Sequence, residues 1–175
     1  MKDMKRLIPA LLLAGLAVGP AASQTSALKG HNSNAPVDVA ADRIEVQDRA
    51  DRAIFSGNVV VRQAELTLTA ARLTVAYSSG GGVELRRIDA TGGVTVKSPS
   101  ETARGNVGIY DLDRRIITLI GNVSLVQKDA NVNGGRLTID LDTGRAVMDG
   151  GGPPGTTSQG GRVTGRFTVP QKAGG

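Results

Sequence analysis

The chain has no cysteine and no tryptophan, and holds only two Phe, two Tyr and one His in 175 residues. Without cysteine there are no disulfide staples, thiol nucleophiles or thiolate metal sites, so core burial and backbone pairing must hold the fold together. So few aromatics leave little to stack nucleobases on, and Lys and Arg are scattered rather than clustered, which argues against nucleic acid as a partner. The single histidine, His31, lies in a polar stretch from Lys29 to Asn34 that reads as disordered. It offers no basis for a triad or for general acid–base work. Gly150 to Gly155 matches G-x-G-x-x-G in form, but Pro153 and Pro154 stand where backbone N–H groups would have to hold phosphate. Nothing here points to an enzyme, a cofactor or a metal site.

Long apolar runs are also missing, except at the start. Lys2, Lys5 and Arg6 precede the run Leu7 to Val18, and Ala21-Ala22-Ser23 follows it. This is the layout of a secretory signal peptide cleaved after Ser23, and the run is shorter than the roughly 20 apolar residues of a membrane-spanning helix. The formal charge is +5, and the leader's three basic residues and one acidic residue leave +3 for the rest. That supports a mild attraction to anionic surfaces and no more.

What the chain does contain is alternation. Val59-Val60-Val61, Leu66-Thr67-Leu68, Leu73-Thr74-Val75, Val94-Thr95-Val96, Val123-Ser124-Leu125 and Leu137 to Leu141 repeat apolar residues with period 2. They are rich in Val, Ile and Thr, which suit a pleated, half-buried surface. No stripe of period 3.6 appears between Pro36 and Leu141, so the fold class is all-β. There are 24 glycines, about twice the usual share, and they read as tight turns between strands.

Two patterns interleave with a period near 30 residues, the signature of a repeat architecture. One is a glycine turn before an alternating run, at Gly57, Gly92 and Gly121. The other is a small residue, a polar or basic one, then a strand: Ala41-Asp42-Arg43-Ile44, Ala70-Ala71-Arg72-Leu73 and Gly134-Gly135-Arg136-Leu137. Thr102-Ala103-Arg104-Gly105, leading to Val107 and Ile109, is a looser copy. Across the second pattern the apolar residues change parity, from Leu66 and Leu68 to Leu73 and Val75. A straight strand would turn one of these sets to solvent, so a bulge or corner at the small residues is expected. Strands that turn a corner into a second layer share one interior, which predicts an elongated, open jelly roll (a β-taco) of repeated antiparallel hairpins. That interior takes in Val37, Val39, Ile44, Val46, Phe55, Val59, Val61, Leu66, Leu68, Leu73, Val75, Val94, Val96, Val107, Ile109, Ile117, Leu119, Val123, Leu125, Leu137, Ile139 and Leu141. By composition alone it reads as an ordinary packed core.

The boundaries follow from composition: signal peptide 1–23, disordered segment 24–35, β-domain 36–149, Gly/Pro-rich linker 150–161, C-terminal edge strand 162–170 and tail 171–175. The carboxylate pairs Asp111/Asp113 and Asp140/Asp142 could in principle ligate Ca²⁺, but they sit at strand ends and read as solvent-facing.

Ala35 to Val39, Ala41-Asp42-Arg43, Phe55 to Val61, Ala70 to Val75, Tyr110-Asp111-Leu112, Thr118 to Val123, Val132 to Thr138 and Arg162-Val163-Thr164 before Pro170 resemble the OstA-like (LptA) family of periplasmic lipopolysaccharide-transport proteins. The resemblance implies a jelly roll whose apolar groove sheathes lipopolysaccharide acyl chains. It also implies end-to-end stacking between an LptC-like inner-membrane protein and an LptD-like outer-membrane protein. Positions assigned to lipid are then Val37, Val39, Ile44, Phe55, Val59, Leu68, Val75, Val96, Ile109, Tyr110, Leu112, Ile117, Leu119, Leu125 and Ile139. Positions assigned to partner docking are Val37, Val39, Val163, Phe167 and Val169. Poverty in aromatics and the Gly-Pro linker depart from the family pattern, and the linker puts the C-terminal contact in doubt. The competing class is a structural or adhesive β-repeat with a dry core; an envelope hydrolase is the remaining one, and it lacks an acid–base constellation.

Overall fold

The computed structural model describes residues 31–151 and 161–168. Ten strands run in chain order: β1 (Val37–Ala40), β2 (Arg43–Gln47), β3 (Arg52–Gln63), β4 (Leu66–Ser78), β5 (Glu84–Lys97), β6 (Glu101–Asp111), β7 (Ile116–Gln127), β8 (Ala130–Asp140), β9 (Ala146–Asp149) and β10 (Thr164–Phe167). All pairings are antiparallel, and β3 to β8 form a continuous meander. β1 and β2 share the free side of β3, and β9 and β10 share the free side of β8. One turn of 3-10 helix (Asp48–Ala50) joins β2 to β3, and the described residues contain no α-helix.

The expected corner is present, and its construction explains the sequence patterns. Gly57-Asn58 of β3 stand opposite Ala71 alone, Gly92-Gly93 of β5 opposite Asn106, and Gly121-Asn122 of β7 opposite Gly135. All six inserted residues are left-handed, with φ between 45° and 84°. The glycine motifs are therefore bulges in the middle of long strands, not turns between short ones. An insertion of two residues keeps the parity of β3, β5 and β7. The facing strands β4, β6 and β8 change parity instead, which is why the small residues mark the switch.

The six long strands thus bend in register and the sheet doubles over. Leu66, Leu68 and Val96 from one side of the corner line the same narrow cavity as Ile88, Ile117 and Leu119 from the other. Leu73, Ala90, Leu119, Leu137 and Ile139, all buried, pack between the layers.

Gly92 is a position where the corner tolerates little change. Its φ of +84° is costly for an L residue, and an added Cβ would lie 2.6 Å from the Cβ of Ala71. Gly92→Ala is expected to cost about 3 kcal/mol from strain and overpacking together. Gly93→Ala meets nothing within 4 Å, so it should cost only the conformational part, about 1–2 kcal/mol. Urea unfolding of the two variants checks the difference.

Two expectations fail here. The loose copy at Thr102 to Gly105 is out of phase, because the true corner falls at Asn106. Gly108 occupies the position of Leu73 and Leu137, so Val107 and Ile109 face outwards, with Ile109 in register with Asp89 and Thr118. His31 is not in a disordered segment: its side chain is fully enclosed, and residues 31–35 form a turn against the end of β3.

Candidate binding trough

The doubled sheet encloses an apolar trough that is open at one end and closed along its middle. At the β1–β2 end it widens into a cavity of about 670 Å³, lined chiefly by Val37, Val39, Val46, Ala53, Phe55, Val75, Val83 and Leu85. This is within the range of sites for small ligands, about 300–1,000 Å³. Deeper in, the two layers interdigitate around a void of only about 30 Å³ between Val37, Leu68, Val96, Tyr110 and Ile117, roughly the space of one water.

The mouth exists because the edge strand is short and broken. β1 covers only the end of β3 and β2 only its beginning. Between them the Asp42 backbone N–H donates to the Gly57 carbonyl at 2.9 Å, and the Asn58 amide donates to the Asp42 carboxylate at 2.9 Å. Phe55 and Val75 therefore keep open space in front of them where Leu73 and Leu119, deeper in, have neighbours on every side. Polar groups confine themselves to the rim. Asp48, Asp51, Tyr77 and Ser79 ring the opening, with the Ser79 hydroxyl donating to Asp51 at 3.2 Å. Withdrawal from water, reinforced by Asp48 and Asp51, pushes the Tyr77 phenol up, so it stays neutral at physiological pH.

The structure divides the lipid assignments into groups. Val37, Val39, Phe55 and Val75 line the mouth. Leu68, Val96, Tyr110, Ile117 and Leu119 line the closed middle. Val59, Leu125 and Ile139 are buried core, and Leu112 packs partly against it. Two assignments need correction. Ile44 has the right register, opposite Phe55, but it sits on the terminal strand with nothing beyond it and is 57% exposed. Ile109 borders the closed middle as part of β6, but its place between the inward Gly108 and Tyr110 turns its side chain to the outer layer, in register with Asp89 and Thr118. Sequence reasoning did not find Ala53, Tyr77, Val83 and Leu85: the first two break the aliphatic pattern, and Val83 and Leu85 follow a glycine run that reads as loop.

Of the docking positions, Val163 and Phe167 are exposed on or beside β10, while Val169 lies outside the described residues, as do the segment expected to be a signal peptide and most of the expected linker. The carboxylate pairs serve local structure. Asp113 pairs with Arg86 at 2.7 Å and Asp142 with Arg115 at 3.0 Å, and Asp111 and Asp140 accept from turn amides at 2.9–3.0 Å. Among the described residues no group of three His, Cys, Asp or Glu is placed to hold a metal ion.

Residues 38–145 match the family model described as LptA/(LptD N-terminal domain) LPS transport protein. The chain belongs to this lipopolysaccharide-transport family. An uncharacterised Rhizobium meliloti protein is 33% identical over 82% of this chain and 86% of its own length. The lipopolysaccharide export system protein LptA of Haemophilus influenzae is 24% identical over 79% of this chain and 83% of its own. The LPS-assembly protein LptD of Yersinia pestis matches at 35% identity over 49% of this chain, a stretch that is 11% of LptD. In three dimensions the fold is similar to that of LptH, the LptA-homologous periplasmic component of the Pseudomonas aeruginosa lipopolysaccharide transport device. The TM-score is 0.70 at 19% identity, covering 79% of this chain and 99% of LptH. The family is one of transport and not of catalysis, and the jelly-roll class read from the alternating strands is the fold observed.

Proposed function

We propose that this protein carries lipopolysaccharide through the periplasm by taking its acyl chains into the trough. It would pass them from an LptC-like inner-membrane partner towards an LptD-like outer-membrane partner. The observation that carries this reading is the mouth, an open apolar cavity of about 670 Å³ continuous in register with the interior of a sheet that has two free edges. Each methylene withheld from water is worth about 0.8 kcal/mol, so a glycolipid with several chains gains most from a lining that never exposes them. The free edges supply the means of lining up successive troughs. β1 and β2 at one side and β9 and β10 at the other pair with one neighbour each, leaving backbone groups to which a second copy or another member of the family can add a strand.

The closed middle sets the order of events. Chains enter at the mouth, and the layers part to let them further in. Photo-crosslinking amino acids at Phe55 and Leu85 are expected to capture lipopolysaccharide, and those at Val96 and Ile117 to do so only under active transport. At Ile109 and Asp140, on the outer face of β6 and at the end of β8, capture should be at background. Equal capture at all six positions, or none at the mouth, sinks the proposal. The narrowness of the middle also favours a second reading, a structural β-repeat with a dry core. Mass spectrometry of lipid extracted from the purified protein separates the two.

A further inference from the structure

We infer that His31 is a proton-dependent clasp, holding the 31–35 turn to the end of β3, beside the seam between the two layers, only while its imidazole carries both ring protons. The hydrogen-bond pattern leaves little choice of charge. The Gln63 side-chain amide nitrogen donates to the carbonyls of Ser33 at 2.9 Å and Ala35 at 3.0 Å. Carbonyls cannot donate in return, so the Gln63 amide is fixed with its oxygen towards His31. That oxygen lies 3.2 Å from Nε2, and a Glu65 carboxylate oxygen lies 3.1 Å from Nδ1. Both ring nitrogens therefore face acceptors, and two hydrogen bonds form only if both nitrogens carry hydrogen. Glu65 is suited to this role. A hydrogen bond from its own backbone, and then His31, hold its carboxyl below the usual range, so it accepts instead of donating.

The surroundings offer no substitute for the proton. Glu65, in the β3–β4 turn, is the charged side chain bonded to the ring. Asp38 of β1 and Arg62 of β3 pair in the outer-face register. From β6, across the seam, comes Tyr110, whose phenol burial pushes up, with Ser33 opposing that shift and Arg115 and Asp142 acting from beyond. On loss of one proton, a ring lone pair meets the lone pairs of an oxygen in a site where the His31 side chain has no exposed surface, and water cannot repair the contact. One of the two bonds must then break: the Nε2–H tautomer gives up Glu65 and the Nδ1–H tautomer gives up Gln63. Gln63, Val37 and Tyr110 all border the closed middle of the trough, so the clasp fixes the turn beside that stretch of the seam.

The protein has no cysteine, so spin labels can be placed cleanly at Asn34→Cys on the turn and Arg114→Cys on the opposite lip, both exposed positions. A single narrow distance is expected at pH 5.5. At pH 8.5 the ratio of clasped to open populations should fall about tenfold, the effect of one hydrogen bond to a charged group. Glu65→Gln should reduce the clasped fraction at pH 5.5, and His31→Ala should give the open distribution at both pH values. Imidazole NMR of this one-histidine protein should show both ring nitrogens protonated whenever the narrow distance is present. A distribution unchanged between the two pH values, or a neutral ring in the clasped state, overturns the clasp. The consequence for cargo rests on the carrier reading, and uptake of a spin-labelled fatty acid in the same samples tests it separately. Failure of that uptake at every pH would count against the carrier reading alone, while the distances decide the clasp.

Discussion

Aspartate at both Val39 and Phe55 is expected to reduce lipopolysaccharide capture by the purified protein by about tenfold or more while leaving it folded. Both side chains line the mouth and are only half-buried, so in the free protein the new carboxylates reach water and cost little. Cargo changes that balance. An acyl chain seated against them strips their hydration without offering a partner, and an unpaired charge in apolar surroundings is strongly unfavourable. The variant therefore separates binding from folding, as a substitution in the closed middle cannot. Capture measured beside the urea midpoint checks it. Wild-type capture by a folded double variant would mean that cargo does not use the mouth.

The second large effect concerns stability. Leu119→Ala is expected to cost about 3–4 kcal/mol, and to lower Tm by roughly 10 °C or more, because Leu119 has no exposed surface and its deletion leaves a cavity between the layers. Ile109→Ala, of similar size change but on the outer face, should cost about 1 kcal/mol or less. Thermal unfolding of the pair is a direct test of the corner at Asn106. If the corner lay three residues earlier, at Ala103 as the Ala103-Arg104 motif suggests, Ile109 would be the sensitive position.

That misplacement shows where the sequence was legible and where it was not. Alternation placed the long strands, and the parity change at Ala70-Ala71 and Gly134-Gly135 placed two corners, because large aliphatic residues stand on both sides of each. In β6 the inward position after the corner is Gly108, whose missing side chain leaves room for Val94 and Leu119. An interior position occupied by glycine has no hydropathy, so the nearer Arg104 attracted the motif and Ile109 was drawn inwards by its own apolarity. The glycine pairs were read as turns for a related reason. Left-handed residues look the same in a sequence whether they end a strand or bend one, and only the partner strand tells which. Ile44 failed differently: its face was right, but burial also requires a neighbouring strand, and a period of two cannot say which strand is last. His31 became visible only through Gln63 and Glu65, more than thirty residues away in the chain.

The way the corner is built has a consequence for growth. Every hairpin brings its own paired left-handed insertion and its own single residue opposite, and each long strand hydrogen-bonds only to its immediate neighbours. Duplicating one hairpin would therefore lengthen the doubled sheet by a fixed increment without redesigning what lies on either side. Joining a separate chain at a free edge is the same operation performed without a peptide link, so gene duplication and polymerisation become interchangeable ways of spanning a given width.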